Sequence, residues 1–144
     1  MGFLYINKAF ILSGDFNFQK GEEELEDGSK SSSRHAAPFF TIVRLSYKKE
    51  NLKLQFNIQY SDEVSFNNLN VEEREKVFIY ASDKNGNPYS PSWYTLNFKS
   101  QYAFNKAINA NFGIENITDQ RYKTYSSGIA APGRNFVFSI TANF

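Results

Sequence analysis

Gly133-Arg-Asn-Phe-Val-Phe-Ser-Ile-Thr-Ala-Asn-Phe144 is the stretch whose reading decides the fold. Side chains alternate between the two faces of a strand. Phe136, Phe138, Ile140, Ala142 and Phe144 therefore share one face, while Asn135, Ser139, Thr141 and Asn143 share the other, with Val137 the exception. One side is oily and the other polar but almost uncharged. A strand of this kind suits a wall between lipid and a hydrated interior.

Five further segments alternate with period two, as half-buried strands do. In the first, Phe10, Leu12, Gly14, Phe16 and Phe18 oppose Ser13, Asp15, Asn17 and Gln19. Its beginning, residues 3–9, alternates less cleanly, because Lys8 falls on the apolar side and Ile11 on the polar one. Phe39, Val43, Leu45 and Tyr47 oppose Arg44, Ser46 and Lys48. Leu52, Leu54, Phe56, Ile58 and Tyr60 oppose Lys53, Gln55, Asn57, Gln59 and Ser61, the most regular case. Tyr94, Leu96, Phe98, Tyr102 and Phe104 oppose Thr95, Asn97, Lys99 and Gln101. Ile108, Ala110, Phe112 and Ile114 oppose Asn109, Asn111, Gly113 and Glu115. Strands are thus expected near residues 3–19, 37–48, 51–61, 92–104, 106–117 and 133–144. They run to about ten residues, the length that crosses a bilayer core when tilted, against about 5–6 in most globular strands. The polar faces are rich in Asn, Gln, Ser and Thr, with Arg44, Lys53, Lys99, Asp15 and Glu115 a charged minority.

Composition agrees with an all-β chain. Fifteen Phe and nine Tyr stand against one Trp and one Met, and aromatic residues favour strands. The length, 144 residues, is that of one domain. A net charge of +1 gives no general attraction to nucleic acid, and no nucleic-acid motif is present. The absence of cysteine removes disulfides, thiolate metal sites and a cysteine nucleophile. Mean hydropathy is −0.51, and no run approaches the 18 or so apolar residues of a membrane helix. Alternating barrel strands escape that criterion. Residues 1–8 lack the basic leader and small-residue cleavage site of a secretory signal. The expectation is a cytosolic chain, or one whose natural start lies upstream.

The connections have two lengths. Lys48–Asn51 and Asn105-Lys106 are tight turns, whereas residues 20–37, 62–92 and 117–132 are long and polar. They alternate, so every long loop falls at one edge of the sheet and every short turn at the other. Outer-membrane barrels share this asymmetry; loops longer than about 12–15 residues are otherwise uncommon in compact domains. Within the longest loop, Asn70 followed by Val71-Glu-Glu73 reads as an N-cap and acidic first turn of a short helix reaching about Lys76. Asp83–Pro88 reads as turns.

At residues 92–144 the pattern becomes specific. Glu115-Asn-Ile-Thr-Asp-Gln-Arg-Tyr122 resembles the Asn-hydrophobic-x-Asp-x-x-Tyr segment that closes the penultimate strand of TonB-dependent outer-membrane receptors. Pro132-Gly-Arg134 resembles the lead into their last strand, and Arg34-His-Ala-Ala-Pro38 fits more loosely the lead into an earlier one. The resemblance implies an all-β antiparallel meander of six long strands, the C-terminal part of a larger transmembrane β-barrel. It also implies active uptake of a nutrient such as a siderophore, cobalamin or glycan, at the outer membrane. Such barrels have about 22 strands closed by a plug. Plug, TonB-contacting segment and first strand are all missing from this sequence, so it is expected to be a fragment. The implied partners are outer-membrane lipid, the rest of the barrel and its plug, the TonB complex through that plug, and the barrel-insertion machinery through the last strand. The alternative is a soluble secreted β-sandwich or small barrel that binds a ligand.

No catalytic, cofactor or metal site is expected, and the substrate-binding residues are unknown. His35, the single histidine, has no second ligand at metal spacing and reads as a loop residue. A single histidine also leaves no arguable Ser/His/acid set. Glu22-Glu-Glu-Leu-Glu-Asp27 reads as a solvated acidic loop without EF-hand spacing. Asn116-Ile-Thr118 matches a glycosylation sequon by chance. Trp93, Tyr94 and Tyr60 are expected in an interfacial aromatic girdle. For Tyr122 and Tyr125, girdle and ligand stacking remain equally open.

Overall fold

The computed structural model describes residues 2–34 and 36–143. Its strands are β1 (Gly2–Tyr5), β2 (Phe10–Asn17), β3 (Glu22–Glu24), β4 (Lys30–Ser32), β5 (Phe40–Lys49), β6 (Leu52–Ser61), β7 (Ala81–Ser82), β8 (Pro88–Tyr89), β9 (Trp93–Ala103), β10 (Ile108–Glu115) and β11 (Asn135–Ala142). Seven of them form one antiparallel meander, β1-β2-β5-β6-β9-β10-β11. The pairs β3–β4 and β7–β8 are small hairpins inside the long loops. The one α-helix among the described residues, α1 (Val71–Glu75), is short and lies between them, with Asn70 as N-cap accepting a hydrogen bond from the Glu72 amide.

The all-β meander follows the alternation of the sequence, but the first segment divides in two. Residues 3–19 make a hairpin, β1–β2, rather than one strand. The cause is Asn7, whose side-chain oxygen accepts from the amides of Ala9 and Phe10 at 2.8 and 3.0 Å and turns the chain. Asn105 does the same for Ala107 and Ile108, at 2.8 Å each. Both turns carry Asn-Lys-Ala, at 7–9 and 105–107. The irregular placing of Lys8 and Ile11 is the parity reset of that turn. The other five segments become β5, β6, β9, β10 and β11.

The register makes the partition of faces explicit. Leu4, Leu12, Leu45, Phe56, Phe98, Ile114 and Phe136 are successive cross-strand partners and form one apolar row across all seven strands. A second row runs through Phe10, Tyr47, Leu54, Ser100, Phe112 and Phe138. No described residue covers this face: Leu4, Phe136 and Phe138 are 60%, 64% and 67% exposed. The buried hydrophobic residues among those described are Val64, Leu69 and Trp93, all at the long-loop end. A β-sandwich would set this apolar face against a second sheet; the sheet here is a single layer.

The opposite face is polar and hollow. The sheet curls toward it, so that Ile11 of β2, Ser46, Gln55, Lys99 and Val137 of β11 line one cavity of about 490 Å³. Its charges are partly matched, Arg44 with Asp15 at 2.5 Å and Lys99 with Glu115 at 3.7 Å. The connections at one end are short, residues 6–9, 50–51 and 104–107; those at the other are residues 18–39, 62–92 and 116–134.

An uncovered apolar sheet face of this extent drives association in water. In sedimentation velocity the chain is expected to run as large aggregates in detergent-free buffer. A monodisperse monomer there would show that the apolar rows are covered in a way this fold does not provide.

Candidate functional site

The long loops converge over the polar face and are tied to it and to each other by a few amides and one carboxylate. Asn116, at the end of β10, has a positive φ of 49°, a conformation that Asn tolerates better than most residues. Its backbone N–H donates to Asn97 Oδ1 at 2.8 Å. Its side-chain nitrogen donates to the carbonyls of Gln120 and Pro132, at 2.9 and 3.2 Å, and its Oδ1 accepts from the Gln120 amide at 3.0 Å. Asn97 in turn donates to Asn57 and Thr95 on the polar face. The Asn116 amide is therefore buried and engaged, in keeping with a sequon that arises by chance.

Asp119 accepts from the Arg134 amide at 2.7 Å, and Arg134 Nε donates to the Ile117 carbonyl at 2.9 Å. A Cβ at Gly133 would stand 2.6 Å from Asp119 Oδ1, so a larger residue there would push that carboxylate off the Arg134 amide. The two short segments singled out in the sequence, 115–122 and 132–134, thus grip each other.

A second knot joins the first two loops. Asn70 Nδ2 donates to Glu23 Oε1 at 2.5 Å and to the Ser32 carbonyl at 2.8 Å, and the Val71 amide donates to Ser31 Oγ at 3.3 Å. The acidic run is therefore not wholly solvated: Glu23 docks the β3–β4 hairpin onto the N-terminus of α1. Glu73 joins the second loop to the third. Its fully buried carboxylate accepts from Lys76 at 2.6 Å, Tyr80 at 2.5 Å and Ser126 at 3.2 Å. Burial opposes its charge, but the Lys76, Tyr80 and Ser126 donors outweigh burial and hold the carboxyl below its ordinary value. Burial first, and then the Glu73 carboxylate, pushes Tyr80 and Tyr125 up.

The aromatic residues divide between the faces. Tyr60 and Tyr94 are cross-strand partners on the apolar side. Trp93 is not with them. As the partner of Ser61 it lies on the polar face, 7% exposed, with Tyr122 stacked on it at 4.2 Å between ring centres and an interplanar angle of 25°. The expectation of a girdle position for Trp93 is corrected by register: it is one residue from Tyr94, and one residue reverses the face. Phe40 stands 6.1 Å from Trp93, and Tyr125 packs near Tyr80 at 6.3 Å. Phe40, Trp93, Tyr122 and Tyr125, with Asn17, Gln59 and Ser61, line a recess of about 680 Å³ beneath the loops. His35 and Phe144 lie outside the described residues. No group of three or more metal-ligating side chains occurs among the described residues.

A one-layer sheet with an apolar outer face, a polar hollow and loops gathered at one end has the form of a β-barrel wall. Solved structures with the same arrangement are TonB-dependent receptors. The chain superimposes on the copper transporter OprC with a TM-score of 0.76 at 12% identity, over 99% of this chain and 21% of that one. The ferric enterobactin receptor PfeA from Pseudomonas aeruginosa gives 0.64 at 13% identity, over 99% and 21%. The siderophore receptor PiuA from Acinetobacter baumannii gives 0.60 at 19%, over 97% and 20%. The chain therefore spans about a fifth of the length of these solved relatives. No family model and no curated protein sequence matches it.

Two substitutions test the knots. Asn116→Ala removes three side-chain hydrogen bonds and the tolerance of positive φ, and is expected to destabilise loop 116–134 by about 1–3 kcal/mol, read as faster amide exchange there. Asn116→Gly, which keeps the backbone freedom, should lose less.

Glu73 gives a pH window. Its folded-state pKa is below the ordinary 4.5, so its contribution is complete above that value and is lost as pH falls through the folded pKa. Protease resistance of loop 62–92 is expected to drop below pH 4.5, and Glu73→Gln should remove much of that dependence. An unchanged profile in Glu73→Gln would assign the acid sensitivity elsewhere.

Proposed function

We propose that this chain is the C-terminal segment of the barrel of a TonB-dependent outer-membrane receptor, which takes up a scarce nutrient actively. The supporting observation is the apolar row Leu4-Leu12-Leu45-Phe56-Phe98-Ile114-Phe136, continuous over seven strands and covered by nothing. In water such a face costs about 25 cal/mol per Å²; against lipid it costs nothing. The polar hollow behind it then lines the lumen, and the three long loops face outward.

In this reading the chain performs no chemistry. Its strands complete the wall, its loops meet the ligand, and its last strand addresses the insertion machinery. The plug, and with it the contact to the TonB complex, belongs to the remainder of the receptor. The solved relatives carry copper and siderophores by their names, and the substrate class proposed for this chain is a nutrient of comparable scarcity.

The chain contains no cysteine, so single cysteines report cleanly on its faces. In intact outer membranes a water-soluble maleimide should label Gln55→Cys and spare Phe56→Cys; equal labelling would sink the lipid-facing assignment. Function is tested by deleting the gene and following uptake of ferric siderophores, Cu(II), cobalamin and neutral oligosaccharides. Uptake of one of these is expected to vanish, and to vanish likewise in the wild type when the proton gradient is collapsed. Unchanged uptake across the panel would remove the receptor reading.

A further inference from the structure

The recess beneath the loops has a composition that selects among ligands. Asn17, Phe40, Ser61 and Trp93 are consecutive cross-strand partners on the polar face at the loop end. Tyr122 covers Trp93, and Tyr125 and Gln59 complete the lining. No described lining residue carries a charge. The Glu73 carboxylate, which accepts from the lining residue Ser126, is negative. Arg121 and Lys123 line a separate hollow that shares Trp93 and Tyr122.

An anionic metal chelate buried here would find no cation in the lining, and burial of an unpaired charge is costly. Amides and hydroxyls such as those of Asn17, Gln59 and Ser61 instead both donate and accept, which matches a ligand made of neutral hydroxyl groups. Aromatic faces take the apolar side of a flat ring. Trp93 Nε1 is buried with no hydrogen-bond partner, and a buried donor left unpaired is penalised until an acceptor reaches it. From these features we infer that the recess over Trp93 and Tyr122 binds a neutral sugar ring, so that the nutrient is a glycan rather than a metal chelate. The inference rests on the receptor reading above and names the substrate of that receptor.

The test uses the protein extracted in detergent from its own membrane, with heat-modifiable gel mobility as the check of folding. Titration calorimetry is run with maltoheptaose, cellohexaose, xylohexaose and laminarihexaose, and with ferric 2,3-dihydroxybenzoate and Cu(II) as charged probes. At least one neutral oligosaccharide is expected to bind. Tyr122→Ala should weaken it roughly three- to tenfold, the usual worth of an aromatic contact. Tyr94→Ala, on the other face, should leave it unchanged. Should Tyr122→Ala fail to fold, Thr124→Trp fills the recess from the loop and must weaken binding in its place. Absence of binding by every oligosaccharide, or binding indifferent to both variants, overturns the sugar site. Gene-dependent uptake of a ferric or cupric probe that survives Tyr122→Ala would remove the sugar site and leave the receptor reading standing. Uptake that is independent of the gene for every compound of the panel would remove the receptor reading itself.

Discussion

Everything in this structure depends on an apolar face that the chain itself never covers. Seven strands hold their Leu, Ile and Phe residues in cross-strand rows, and no second layer meets them. In a soluble domain the apolar residues meet inside and the polar ones face water. Here the order is reversed: Ser13, Asn57, Thr95 and Asn97 are buried while Phe136 and Ile140 are exposed. The backbone of such a wall is satisfied between strands, which is the condition for crossing a bilayer. Burial of the usual kind is left to the loops, where the fully buried side chains are Leu69, Asn70 and Glu73.

That division explains the chemistry of the loop cap. Without a large apolar core, the loops are held by directional bonds from a few buried polar groups. Asn70 joins the first loop to the second, Glu73 joins the second to the third, and Asn116 fixes the third to the polar face through Asn97. Each node is satisfied several times over, as buried polar groups must be. The Trp93 indole is the departure from this rule, and it lines the recess these loops enclose.

The strands were legible because period-two alternation is a local signal, and the helix because Asn70 caps its own neighbours. The hairpin at Asn7 was missed, although the same Asn-Lys-Ala at 105–107 reads as a turn, because the flanking Phe3, Leu4 and Tyr5 extend the apolar run. Trp93 shows a different limit. Composition and position put it beside Tyr94, yet only register says which of two adjacent aromatic residues looks inward. The contacts of Asn70 with Glu23 and of Glu73 with Ser126 span 47 and 53 residues, and no local pattern encodes which carboxylate of an acidic run meets which amide. The candidate recess is assembled from such contacts, so its residues were visible one by one and its shape was not.

The division of the first segment bears on how the sheet is completed. In an antiparallel meander of six strands the two edges run in opposite directions and can pair antiparallel. With seven, β1 and β11 run in the same direction, so closing one directly on the other would demand a parallel pair. Bacterial barrels of a single chain have even strand numbers and antiparallel closure. A seven-stranded stretch fits such a barrel only when an odd number of strands lies between β11 and β1. That requirement also weighs against a ring of identical copies, since each junction would again join β11 to β1 in parallel. Any wall that closes such a barrel with this sheet must likewise hold an odd number of strands, with both of its edges running opposite to β1 and β11. A barrel of about 22 strands that included these seven would satisfy the condition.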